Sequence, residues 1–68
     1  MRTLIKEKRL GQDWTQEQLS EVVGVSRQTI ISLEAGKYKA SLVLAHKLAQ
    51  AFGCRIEDIF IFEGDENL

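Results

Sequence analysis

Arg27, Gln28 and Thr29 follow Ser26 directly in the stretch VSRQTIISLEAGKYK (residues 25–39), and Ser32 comes about one helical turn later. The arginine guanidinium is a planar fork of N–H donors that stays charged at any physiological pH, and the glutamine amide sets a donor beside an acceptor. Side by side, two such forks suit the recognition of a planar edge carrying paired hydrogen-bonding groups. The arginine fork matches O6 and N7 of guanine and the glutamine amide matches N6 and N7 of adenine, each good pair discriminating by about 1–3 kcal/mol. Taken without context, the same residues are ordinary solvated surface. What decides between the two is the scaffold that holds them.

That scaffold is legible as helices with marked starts and stops. Residues 2–11 (RTLIKEKRLG) read as a first helix, whose end falls near Gly11 and Asp13. Thr15-Gln16-Glu17-Gln18 is a capping box, with Trp14 and Leu19 at the two positions of a hydrophobic staple, so a second helix covers about 15–23 and stops at Gly24. Ser26 caps a third helix, Val25 and Ile30 repeat the staple, and Gly36 ends it. Only Gly24 and Val25 lie between the second and third helices, so these two must cross steeply. Ser41 starts a fourth helix with Leu42, Ala45, Leu48, Ala49 and Phe52 on one face, ended by Gly53. Ile56, Ile59 and Phe60 suggest a short fifth helix, and Ile61 and Phe62 carry the apolar character into an acidic tail, residues 63–68.

With Leu19, Val23, Val25, Ile30 and Leu33 forming the core of a helix–turn–helix over about residues 15–35, Glu34 turns inward. The side bearing Arg27, Gln28, Ile31 and Ser32 turns outward, at the start of a helix free to enter a groove about 12 Å wide. Ile31 on that side has two readings, contact with a thymine methyl or packing against the neighbouring loop. His46 is expected on the surface, Cys54 as a small packed hydrophobe, and Trp14 as a staple residue.

Sixty-eight residues make a single domain, 44% hydrophobic and 28% charged, with no proline. A chain of this size buries about 60% of the surface that its unfolded form exposes, so modest stability or oligomerisation follows. One cysteine excludes an internal disulfide, and one His with one Cys offers no structural zinc site. The apolar runs are too short for a membrane span or a signal peptide, which fits the cytoplasm. No nucleophile–base pair and no metal loop is visible, so the chain reads as no enzyme, with no cofactor and no small-molecule ligand. The net charge of −1 divides unevenly: residues 57–68 carry five acidic and no basic residues, whereas residues 1–56 carry nine basic and five acidic. A basic body suits an anionic partner, although an ordinary charged surface with a solubilising tail explains the same numbers.

The run TQEQLSEVVGVSRQTIISLEAGKY resembles the DNA-binding domain of the Cro and phage-repressor (Xre) family, above all its short stand-alone members, and the likeness spans roughly residues 4–60. The resemblance implies an all-α, five-helix domain that binds double-stranded DNA. It implies base contacts from Ser26, Arg27, Gln28, Thr29 and Ser32, a phosphate and often groove-edge contact from Gln16 with Thr15 beside it among the DNA-binding residues, and phosphate contacts from the loop Lys37, Tyr38 and Lys39. It also implies a structural salt bridge between Arg9 and Glu34. Three positions depart from the family pattern: Lys39-Ala40 stand where Asn-Pro is usual, Asp13 where Gly is usual, and Arg55 where a Ser or Thr caps the last helix.

The expectation is a prokaryotic transcriptional regulator, a repressor comprising residues 1–68 as one domain. A domain this small has no second layer to cover Ile59, Phe60, Ile61 and Phe62, so these four are expected in a two-fold homodimer interface. Such a dimer would sit on an inverted-repeat operator with half-site centres roughly 34 Å apart. The other classes that the sequence leaves open are an antitoxin that binds a protein through the acidic tail, and an interaction module on the same fold.

Overall fold

A computed structural model describes residues 2–37 and 40–61. In chain order it comprises strand β1 (Arg2–Thr3), helices α1 (Ile5–Gly11), α2 (Gln16–Val23), α3 (Arg27–Glu34) and α4 (Leu42–Phe52), a 3-10 turn at Ile56–Asp58, and strand β2 (Phe60–Ile61).

Three helices start on hydroxyl caps. Thr15 Oγ1 accepts from the Gln18 backbone N–H at 3.0 Å while Gln18 Oε1 accepts from the Thr15 N–H at 2.8 Å, closing the capping box. Ser26 Oγ accepts from the Thr29 N–H and Ser41 Oγ from the Leu44 N–H, each at 3.1 Å. All four helices end alike, with one backbone N–H reaching back five residues: Trp14 to Arg9, Val25 to Ser20, Lys37 to Ser32 and Cys54 to Ala49, at 3.0–3.1 Å. The residue before each of these donors is left-handed, Gly24, Gly36 and Gly53 among them. At the end of α1 the left-handed residue is Asp13, with φ of 58°. An aspartate reaches this region at some strain, which its short polar side chain tempers.

The core draws on all four helices and on Ile59 and Phe60. Ile5, Leu19, Ile30, Leu33, Leu48 and Ile59 are fully buried, and burying a side chain of this kind contributes about 1.5–3 kcal/mol. Trp14 and Val25, the leading staple residues, pack on this cluster from outside, as does Cys54. The Trp14 and Phe52 rings lie 6.0 Å apart, tilted by 37°. His46 is exposed.

The all-α, five-helix expectation is corrected at both ends of the chain. Residues 2–3 do not start a helix; they pair antiparallel with β2, Arg2 opposite Ile61 and Thr3 opposite Phe60. The sequence ahead of α1 has no free capping group: Leu4 holds the cap position, and the Thr3 hydroxyl donates instead to the Leu33 carbonyl at 3.2 Å. The fifth helix is only the turn at Ile56–Asp58, preceded by Arg55, whose side chain caps nothing. Beyond it, Phe60 and Ile61 extend along β1, an arrangement that suits β-branched and aromatic side chains.

Two placements of apolar residues change with this. Ile59 is wholly buried and Phe60 is 5% exposed within the chain itself, so the domain covers them without a second copy, and the premise that they need one is corrected. The Leu4 N–H also donates to the Ile59 carbonyl at 2.8 Å, locking that segment inward. Leu42, assigned by spacing to the inner face of α4, is 79% exposed, because it stands in the first turn, ahead of the point where Leu44 and Ala45 reach the core.

Candidate nucleic-acid interface

α2 and α3 pack through Leu19, Val23, Ile30 and Leu33, with Ser20 small enough to be buried at the crossing. The Ser20 hydroxyl donates to the Glu17 carbonyl at 2.6 Å, so its burial leaves no unmet donor. Between the helices Gly24 takes φ of 75°, where a β-carbon would meet nothing within 4 Å. Conformation and not crowding therefore requires glycine there.

The first turn of α3 is the exposed product of this packing. Arg27 and Gln28 are both exposed, and among the described residues neither side chain has a hydrogen bond or ion pair. Ser26 and Thr29 are engaged with each other, their hydroxyls 3.0 Å apart, in addition to the capping bond. Ser32 and Ile31 are half-buried on the adjoining strip. The turn thus offers two free forks on a base whose own hydrogen bonds are met.

Beside this turn lies a polar network of the opposite kind. The Arg9 Nε–H donates to Glu34 Oε2 at 2.7 Å and Nη2 to Oε1 at 3.4 Å, with the two side chains 9% and 8% exposed. Arg9 Nη1 also donates to the Trp14 carbonyl at 2.8 Å, and Gln16 Nε2 donates to Glu34 Oε1 at 3.2 Å. One carboxylate therefore ties α1, α2 and α3 together at the point where α2 begins. Replacing such a pair by apolar residues is often neutral, but removing one partner leaves a charge buried without compensation.

The structure bears out the Arg9–Glu34 pair in full. It sets Thr15 and Gln16 at the N-terminus of α2, where helix amides suit a phosphate. Lys37 is exposed just past α3. Tyr38, Lys39 and Phe62 lie outside the described residues, as does the acidic tail, and Ile61 is half-buried at the end of β2. Three contacts went unread in the sequence. The Ser26–Thr29 hydroxyl pair was within reach, since the side chain three residues past a helix cap lies beside the capping side chain. The Gln16–Glu34 and Thr3–Leu33 contacts join residues 18 and 30 positions apart, and no local pattern announces them.

Comparison with known proteins agrees with this geometry. A family model described as helix-turn-helix matches residues 5–59. An uncharacterized HTH-type transcriptional regulator of Methanothermobacter thermautotrophicus is 59% identical over 66 residues, covering 96% of each chain. This chain belongs to the Xre-type helix-turn-helix family. Among solved structures, the restriction-modification controller protein C.AhdI of Aeromonas hydrophila matches with a TM-score of 0.75 at 30% identity, over 82% of this chain and 85% of that one. The competence pilus inhibition repressor of Acinetobacter baylyi is 38% identical over 53 residues, 78% of this chain but 48% of the repressor. The helix-turn-helix fold is a binding fold, not a catalytic one.

Among the described residues no three His, Cys, Asp or Glu side chains gather into a metal site, and no helix is long and apolar enough to cross a membrane. A groove of about 450 Å³ runs between the end of α2 and α4, bordered by Glu21, Val22, Lys47 and Gln50; it lies open to solvent.

Proposed function

We propose that this protein is a cytoplasmic transcriptional regulator that binds double-stranded DNA by sequence, and that it represses by occupying promoter DNA. The observation that carries this reading is the first turn of α3, where Arg27 and Gln28 stand exposed and, among the described residues, without hydrogen-bond or ion-pair partners, on a helix fixed from beneath by caps and core. Their forks suit guanine and adenine edges in the major groove. Lys37, with Tyr38 and Lys39 beside it in sequence, and the start of α2 with Thr15 and Gln16 suit the flanking phosphates, which fix register without reading sequence. The name of the Acinetobacter relative supports repression over activation.

The operator is an inverted repeat bound by a homodimer. One domain presents a single eight-residue reading helix, and a two-fold pair sets two such helices in successive major grooves with half-sites roughly 34 Å apart. With Ile59 and Phe60 in the core, the interface falls to Ile61 and Phe62. Sedimentation of wild type and Phe62→Ala at micromolar concentration checks this: a dimeric wild type and a monomeric variant are expected, and a monomeric wild type ends the dimer reading. Selection of bound duplexes from a random DNA pool at physiological salt tests the function itself. An enriched inverted repeat is expected; a folded protein that enriches nothing points to a protein-binding module.

A further inference from the structure

The Glu34 side chain is 8% exposed, and among the described residues its hydrogen-bond partners are Arg9 and the half-buried Gln16 at the first position of α2. We infer that Glu34 is a positioning residue for DNA binding: it sets the orientation of the Gln16 amide that meets a phosphate. This rests on the DNA-binding reading above.

The chemistry of the contact fixes the orientation. A carboxylate only accepts, so the amide must turn its Nε2 and not its oxygen toward Glu34, as the 3.2 Å contact has it. The carboxamide plane is then set, and the second N–H on Nε2 remains unengaged among the described residues. Arg9 makes the arrangement compatible with a nearby phosphate. Its guanidinium neutralises Glu34 through Nε and Nη2, so no net negative charge faces the DNA backbone, and its Nη1 bond to the Trp14 carbonyl holds the entry to α2. A glutamine free in solution must give up rotamer freedom on binding; one already held does not.

The test is a double-mutant cycle on DNA affinity, because a merely structural Glu34 would not couple to Gln16. Removing Glu34 alone risks the fold, so the second background is Arg9→Met with Glu34→Leu, which replaces the buried pair by apolar side chains. In the otherwise wild-type protein Gln16→Ala is expected to weaken binding about tenfold, on the selected operator and on an unrelated duplex alike, as loss of one hydrogen bond to a charged group would. In the apolar background the same substitution is expected to weaken it no more than about twofold. Equal losses in both backgrounds overturn the inference. A wild type that binds its operator, with Gln16→Ala silent, overturns it too and leaves DNA binding standing. A wild type that binds no duplex overturns the DNA-binding reading as well. A second readout needs no substitution: side-chain amide relaxation by nitrogen-15 NMR should find Gln16 rigid and Gln28 mobile in the free protein. Equal mobility of the two overturns the proposal.

Discussion

Two polar clusters sit side by side on this small domain and are built in opposite ways. Around Glu34, the guanidinium of Arg9, the Gln16 amide and the Trp14 carbonyl are joined in one network, with the ion pair less than a tenth exposed. At the first turn of α3, Arg27 and Gln28 carry equally capable groups and, among the described residues, bond to nothing. Both clusters draw on arginine and glutamine, so residue type alone does not separate a structural role from a binding one. What separates them is whether the hydrogen-bonding capacity is met inside the chain. Groups already met hold the helices in place; groups left unmet at a rigid, protruding turn are the ones that meet a partner.

Breaking the inner cluster should produce the largest effect. Glu34→Ala strands Arg9 in a site with no other carboxylate among its described contacts, and a loss of about 3–5 kcal/mol in unfolding free energy is expected by urea titration. A loss below about 1 kcal/mol would mean that Arg9 escapes to solvent and that the network holds little. Ser26→Ala probes the seam between the clusters, since Ser26 belongs to the reading turn by position and to the scaffold by its bonds. Thermal and chemical unfolding should show about 1 kcal/mol lost through the missing cap.

Smaller effects test the rest of the contrast. Asp13→Gly relieves a left-handed residue at the end of α1, and a gain of up to about 1 kcal/mol is expected, reduced by the greater freedom of glycine in the unfolded chain. A loss there would show that the aspartate side chain stabilises the turn more than its backbone strains it. Smallest of all, Arg27→Ala should leave stability within about 0.5 kcal/mol of wild type, as expected of an exposed residue with no hydrogen bond or ion pair among the described residues. A larger change would place Arg27 with the structural cluster and remove the contrast.

Much of this arrangement was readable from residues 13–53, because local chemistry writes it into the chain. Thr15, Ser26 and Ser41 mark helix starts through their own hydroxyls, and Gly24, Gly36 and Gly53 mark stops through left-handed backbone. The two ends of the chain resisted the same treatment. The β1–β2 ribbon is two residues wide on each side and joins positions nearly the whole domain apart, so no window of sequence carries it. Ile59 and Phe60 are covered by the chain's own core, which the sequence does not announce, because an apolar run looks the same whether it covers its own core or a neighbour's. Leu42 erred in the other direction, on the right helical stripe but one turn too early to be covered. At the site, the Arg9–Glu34 pair came from family resemblance and not from spacing. The bond from Gln16 to Glu34 depends on how α2 and α3 cross, which only the folded chain specifies.

The central claim is that the exposed first turn of α3 reads bases while the groups around it hold position. The most direct measurement is the affinity of wild type, Arg27→Ala and Lys37→Ala for the selected operator and for every single-base-pair variant of it, at two salt concentrations. Arg27→Ala should lose about 1–3 kcal/mol on the operator and become indifferent to the base pair at one position in each half-site. Lys37→Ala should weaken all the duplexes about equally and lower the salt dependence by about one phosphate contact. If Arg27→Ala instead weakens every duplex alike and keeps the base preferences of wild type, then Arg27 grips the backbone and the reading surface lies elsewhere.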